Sequence, residues 1–355
     1  MKIVFCGGGT AGHITPNIAL IEKLQTEECY YVGSDGMEKQ MTQKLLKQGK
    51  LKKFCEISAS KLERKLTLKN LALPFLLIKS VSQARKHLKE IKPNVVFSKG
   101  GYVGLPVVIA ARTLGIPSIV HESDISLGLA NKISSRFAHE TLTTYPTSKK
   151  YKAMGAIIRE EILHGDKSLG LKTMKFDGKK PILLVMGGSL GAKPLNDAIS
   201  QNRVLSEKFD IFVICGKGKK LQCDFVHQAE FVGNVQDVFA ATTVCLTRGG
   251  SNALAELTLA KVPFVAVPLE KCSRGEQIKN ATWYAKQGCG MRITETNLSA
   301  KLPVAVQTVF EHRQNMIQKQ SAHRDLYGTD NVVGCILKYQ TANENRRPTA
   351  QKQST

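Results

Sequence analysis

Short apolar runs alternate with longer stretches of mixed polarity along most of the chain. The runs fall at residues 3–6, 30–32, 95–97, 118–121, 141–144, 182–186, 211–215, 244–246 and 264–267. The segments between most of them are long enough for helices. This alternation predicts α/β architecture, with buried parallel strands and helices on both sheet faces. Seven of the nine runs are followed by Gly, Ser, Thr or Pro, the composition of loops at the carboxyl edge of an open sheet, where ligands bind.

Two of these runs, 3–6 and 182–186, lead into a glycine cluster and then a helical pattern. The clusters read Gly7-Gly8-Gly9-Thr10-Ala11-Gly12-His13 and Gly187-Gly188-Ser189-Leu190-Gly191-Ala192. Glycine lets the backbone turn sharply and approach a ligand, and the following helix aims its free N–H groups at a phosphate. A single such loop is often only a tight turn. Two of them, about half the chain apart, predict two Rossmann-like doubly wound domains facing each other across a cleft. At 355 residues there is room for both. The boundary is expected in the polar, lysine-rich stretch 155–180, giving domains at 1–160 and 161–327, and the polar end 341–355 is expected to be a disordered tail.

Composition narrows the class. With 42% hydrophobic and 23% charged residues, the chain reads as globular and not as disordered. The opening residues run straight into the first glycine loop, so no signal peptide is expected, and no apolar stretch reaches the ~20 residues of a membrane span. Nine scattered cysteines without a Cys-x-x-Cys pair fit a reduced protein with no structural zinc. The net charge of +22 suits nucleic acid, an anionic membrane surface or a phosphorylated substrate, or serves solubility alone. Only 6% of residues are aromatic and no nucleic-acid motif is present, which argues against nucleic acid. One segment, from Lys61 to Arg85, departs from the alternation. Leu66, Leu68, Leu71, Leu73, Phe75, Leu76, Leu77 and Ile78 are rimmed there by Lys61, Arg64, Lys65, Lys69, Lys79 and Arg85. Such a face either covers the first sheet or lies on an anionic membrane.

Four further clusters carry candidate chemistry. Ser98-Lys99-Gly100-Gly101-Tyr102 is another strand-to-helix glycine turn, able to receive a second pyrophosphate or simply to turn. In His121-Glu122-Ser123-Asp124 the carboxylates either face sugar hydroxyls, accept a proton, or cap the next helix. In Arg248-Gly249-Gly250-Ser251-Asn252-Ala253-Leu254-Ala255-Glu256, the glutamate sits about one turn into a helix, where it can accept from both ribose hydroxyls. Gln277 and Asn280 share a helix face and carry amides suited to sugars. His13 stands on the first turn after Gly12, where the helix dipole favours neutral imidazole. It either takes a proton from a hydroxyl or only hydrogen-bonds.

Taken in order from residue 1 to about residue 330, these motifs resemble the MurG family of glycosyltransferases, which complete the lipid-linked peptidoglycan precursor. The resemblance implies a GT-B fold whose C-terminal helix, at about 328–340, packs back on the first domain. It implies inverting transfer of N-acetylglucosamine from UDP-N-acetylglucosamine to the C4 hydroxyl of lipid I, without a bound metal or other cofactor. The donor contacts would be Thr10, Ala11, Gly12, Asp124, Arg159, Ser189, the backbone at Val232, Ser251, Asn252, Ala253, Leu254, Ala255, Glu256 and Gln277. The acceptor pyrophosphate would meet Gly9, Gly100, Gly101 and Tyr102, with His13 as the favoured base and Glu122 or Asp124 as alternatives. A peripheral position on the cytoplasmic side of the cell membrane follows from the lipid acceptor, with cell-wall synthesis proteins as possible partners. Asp124 stands where many family members carry Asn, and Glu276 replaces one glutamine of the usual pair. Two other classes compete. A dinucleotide oxidoreductase would use Gly7, Gly9, Gly12 and Asp35 but has no need of Glu256 and Gln277, and a binding protein would have lost turnover.

Overall fold

Every strand pairs with parallel neighbours, and the strands form two separate sheets, one of seven and one of six, among the described residues. The computed structural model describes residues 1–59, 73–188, 191–270 and 275–340, and the chain divides into two units. Most of the segment from Lys61 to Arg85 that precedes Leu73, the loop residues Ser189 and Leu190, and the tail 341–355 lie outside the described residues.

The first unit comprises Met1–Ser123, Leu127–Ile157 and the chain from Gly328 on. Its strands are β1 (Lys2–Cys6), β2 (Glu28–Gly33), β3 (Lys53–Glu56), β4 (Val95–Ser98), β5 (Ser118–Glu122), β6 (Glu140–Thr143) and β7 (Lys152–Ala153), in the order β3-β2-β1-β4-β5-β6-β7. Side chains alternate across a strand, so both faces of β1 are apolar and both are covered. Ile3 and Phe5 enter one core with Leu20, Phe97 and the C-terminal Val332 and Ile336. Val4 and Cys6 enter the other with Ala84, Leu88, Val103 and Val107. The helix Thr329–Leu337 belongs to this unit; beyond it, the Tyr339 hydroxyl donates to Glu140 at 2.7 Å.

The second unit comprises Asp124–Ser126 and Ile158–Tyr327. Its strands are β8 (Ile182–Met186), β9 (Asp210–Ile214), β10 (His227–Ala229), β11 (Val244–Thr247), β12 (Phe264–Ala266) and β13 (Gly290–Arg292), in the order β10-β9-β8-β11-β12-β13. Leu183, Val185, Leu246 and Val265 pack one face against Leu195, Ile199, Leu302 and Val306.

In each sheet the chain builds outward from the first strand on one side, then returns to start again on the other. The order reverses between β1 and β4 in the first unit and between β8 and β11 in the second. Ligands of open α/β sheets bind at the carboxyl ends of strands where the order reverses. The four glycine-rich loops of the sequence follow these four strands. All nine apolar runs are strands, with ends shifted by a residue or two. The strands outside that pattern are β3, β7, β10 and β13.

Candidate active site

At the reversal in the second unit, a cavity of about 370 Å³ opens beside the ends of β8 and β11. Its wall includes Gly187, Gly188, Gly191, Ala192, Lys193, Thr247, Arg248, Gly250, Ala253, Leu269 and Gln277. Gly191 has φ +66°, and a Cβ there would collide with the Cys215 carbonyl, so this turn admits no side chain. Gln277 accepts a hydrogen bond from the Leu269 amide at 3.0 Å, which fixes it in the wall. Arg248 is buried, donates to the Val267 carbonyl at 3.2 Å and pairs with Glu295. The helices Lys193–Ser200 and Ser251–Leu259 both begin here without a side-chain cap, whereas Lys167–Met174, outside the cavity, is capped by Asp166. Uncapped helix starts present N–H groups and positive dipole ends to an anion.

Along Ser251–Leu259 the side chains divide by face. Leu254 and Ala255 are fully buried in the core and offer a ligand only their backbone, while Asn252, Ala253 and Glu256 keep some exposure. Burial pushes the Glu256 carboxyl up to about 7, against the downward pull of the Arg159 guanidinium. The Arg159 Nε is buried and has no hydrogen-bond partner among the described residues. Such a donor costs about 1–3 kcal/mol while it stays unmet, so a ligand acceptor is favoured there. Val232 lies half-buried in the loop after β10.

In the first unit the loops after β1 and β4 lie face to face. Gly101 has φ +75°, and a Cβ there would sit 2.6 Å from the Gly8 carbonyl oxygen and 3.6 Å from His13 Nδ1. A Cβ on Gly9 would touch the Tyr102 ring at 2.5 Å. Gly9, Gly101, Tyr102 and His13 are thereby gathered at one point. His13 occupies the first turn of the helix Ala11–Lys23, half-buried, with Nδ1 2.9 Å from the hydroxyl of the exposed Thr10.

The carboxylates of the His121–Asp124 stretch serve the protein's own donors. Glu122 accepts from the Gly128 amide and from Asn131 Nδ2, both at 2.9 Å, beside the start of the helix Leu129–Ser134. Asn131 in turn packs under Gly100. Asp124 accepts from Asn280 Nδ2 at 2.9 Å. Asn280 also donates to the Gly249 carbonyl at 3.2 Å and accepts from the Ile125 amide at 3.1 Å. The expectation that Asn280 offers its amide to a sugar is therefore corrected. It is fully buried and ties two loops together.

Two buried charges beside these loops were not among the expected site residues. Lys99, directly before Gly100, donates to His121 Nδ1 at 2.7 Å and to the Ser123 hydroxyl at 2.5 Å. Burial first, and then the Lys99 charge, hold His121 well below the usual imidazole range, and its Nε2–H donates to the Gly155 carbonyl at 3.1 Å. Glu38 lies behind the first glycine loop, fully buried. A charge between an apolar strand and a glycine pair was the available signal for Lys99. Glu38 had none, since it reads as one polar position of an amphipathic helix.

Two doubly wound units, with glycine loops at both reversals and a ligand-sized cavity in the second, have the GT-B architecture. Residues 3–143 match the glycosyltransferase family 28 N-terminal domain, and residues 182–330 match the glycosyltransferase family 28 C-terminal domain. The chain belongs to glycosyltransferase family 28. Among curated relatives, the UDP-N-acetylglucosamine--N-acetylmuramyl-(pentapeptide) pyrophosphoryl-undecaprenol N-acetylglucosamine transferase of Clostridium tetani is 41% identical, over 96% of this chain and 98% of its own. The protein of the same name from Staphylococcus haemolyticus is 39% identical over 95% and 99%. Among solved structures, Acinetobacter baumannii MurG superposes with a TM-score of 0.74 at 24% identity, covering 95% of this chain and 99% of that one.

Proposed function

We propose that this chain transfers N-acetylglucosamine from UDP-N-acetylglucosamine to the C4 hydroxyl of the muramyl sugar in undecaprenyl-pyrophosphoryl-MurNAc-pentapeptide, which is lipid I. The product is lipid II. The end-to-end match to relatives bearing that transferase's name carries this reading. The cavity and the two sets of glycine loops support a division of labour between the units.

The second unit takes the donor. Backbone N–H groups around Gly187, Gly188 and Ser251 receive the diphosphate, as does Arg159, whose buried Nε has no other acceptor. Ser189, outside the described residues, is assigned to the same diphosphate. Glu256 accepts from the ribose hydroxyls, the backbone at Val232 adds a contact, and Gln277 meets the sugar. The first unit takes the acceptor, with its pyrophosphate at Gly9, Gly100, Gly101 and Tyr102. Thr10, Ala11 and Gly12 of the same loop are assigned to the donor on the family resemblance.

His13 takes the proton from the C4 hydroxyl as that oxygen bonds to the anomeric carbon. The bond from that carbon to the diphosphate oxygen breaks in the same step, so configuration inverts and UDP leaves with the electron pair. The charge on UDP is met by N–H groups, helix dipoles and Arg159, all in place before reaction. His13 is preferred to Glu122 and Asp124 because it stands where the loops after β1 and β4 meet, beside Gly101.

The protein works from the cytoplasmic face of the membrane. No described helix is long and apolar enough to cross a bilayer. The helix Leu73–Ile91 instead exposes Phe75 by 75% and Ile78 by 68% beside an exposed Lys79, the composition of an anionic-surface anchor.

The test is UDP release from UDP-N-acetylglucosamine with and without a short-chain lipid I analogue, in wild type and His13→Ala. Acceptor-dependent release by wild type, falling at least about a hundredfold in the variant with UDP affinity retained, is expected. Equal turnover in the two proteins would remove His13 from the base role. Wild-type release that ignores the acceptor would contradict the transfer itself.

A further inference from the structure

The first glycine loop rests on a buried carboxylate. Glu38, on the helix Met37–Lys47, is fully buried, and a Cβ on Gly8 would lie 2.5 Å from its Cδ. Its Oε1 accepts from the Ser34 amide at 2.9 Å and the Ser34 hydroxyl at 2.5 Å, while Oε2 accepts from the Gly9 amide at 3.4 Å. All three donors are neutral. The same loop is held further back by the Tyr31 hydroxyl, which donates to the Gly7 carbonyl at 2.6 Å, and by Asn17 Nδ2, which donates to the Cys6 carbonyl at 3.1 Å. Gly7 is thus fixed from one side and Gly9 from the other.

We propose that Glu38 is a positioning residue for the acceptor's pyrophosphate. By holding the Gly9 amide it sets where the loop's remaining N–H groups point and where the helix carrying His13 begins. This rests on the reading that the loop after β1 receives that pyrophosphate. The charge itself works against an anion, so a role through geometry and a role through charge give opposite signs. In Glu38→Gln the volume is kept and the carbonyl oxygen can still accept from Ser34. The other terminal atom becomes an NH₂ facing the Gly9 N–H, donor against donor. Gly9 must then turn away. If charge alone mattered, this variant would bind the acceptor more tightly.

The experiment measures donor KM and acceptor KM separately in wild type and Glu38→Gln, with UDP affinity by calorimetry and thermal unfolding alongside. The expected result is an acceptor KM raised about five- to tenfold, a smaller rise in donor KM through Thr10, Ala11 and Gly12, and an unchanged UDP affinity, which the second unit sets. An acceptor KM that stays level or falls while the melting temperature drops would make Glu38 purely structural and overturn the proposal. If Glu38→Gln does not fold, Ser34→Ala frees the carboxylate to pivot. It should raise acceptor KM about twofold to threefold, and no rise there would be equally contrary. Wild type that releases UDP without regard to acceptor would defeat the reading of the site as well, and that failure is visible before any variant is made.

Discussion

Glu256 faces two opposed demands. In the proposed donor site this carboxylate must be ionised to accept from both ribose hydroxyls, yet burial pushes it up to about 7. Donor KM is therefore expected to rise roughly fivefold as pH falls from about 8 to about 6, and Glu256→Gln should show a high donor KM that is flat over that range. Stability runs the other way. The ordinary value of this carboxyl is 4.5, so between there and about 7 the folded chain keeps a proton that the unfolded chain has lost. The group leaves stability untouched below that window, and its cost grows as pH rises to about 7. Glu256→Gln should thus raise the melting temperature of the ligand-free protein at pH 8 and change little near pH 4.5. The gain is at most about 3 kcal/mol and less in practice, because part of the side chain still meets solvent. A pH series of donor KM and melting temperature checks both signs. Gln277, which lines the cavity, and Glu256 stood out as candidates because they sit in motifs. Glu38 was not, since nothing in a helix of mixed polarity marks which charged residue turns inward.

At the level of elements, the strands that the sequence pattern missed share one property. β3, β7, β10 and β13 are the outermost strands of the two sheets. A central parallel strand is covered on both faces and reads as a continuous apolar run, as Ile182–Met186 does. An edge strand is short and partly wet. Lys152–Ala153 is exposed throughout, and His227–Ala229 has no buried residue. Hydrophobicity therefore locates the middle of a sheet and loses its margins. The same limit applies to the helix Leu73–Ile91, whose pattern could not say which apolar residues face water. Phe75 and Ile78 do. Phe75→Asp with Ile78→Asp should abolish co-sedimentation with vesicles of anionic phospholipid while leaving UDP affinity intact. Unchanged sedimentation would remove this helix as the anchor.

For the whole molecule, two glycine loops half a chain apart announced two units, while the net charge of +22 fitted an anionic partner or solubility alone. The division of the chain was less legible. Asp124–Ser126 belong to the second unit although the residues on both sides belong to the first, and the C-terminal helix returns to the first unit after the second is complete. Those assignments depend on tertiary partners, Asn280 for Asp124 and Ile125, and the Ile3–Phe5 core for Val332 and Ile336. Local periodicity carries no trace of either, and the return of the C-terminal helix is expected from the family resemblance alone. The central claim, however, concerns chemistry, and the most direct test is the product itself. Wild-type protein is incubated with isotopically labelled UDP-N-acetylglucosamine and a lipid I analogue, and the linkage is read by NMR. One labelled sugar per acceptor, β-linked at C4 of the muramyl residue and matched by one UDP, is the expected result. Free labelled N-acetylglucosamine, an α linkage, or an unmodified acceptor would contradict it.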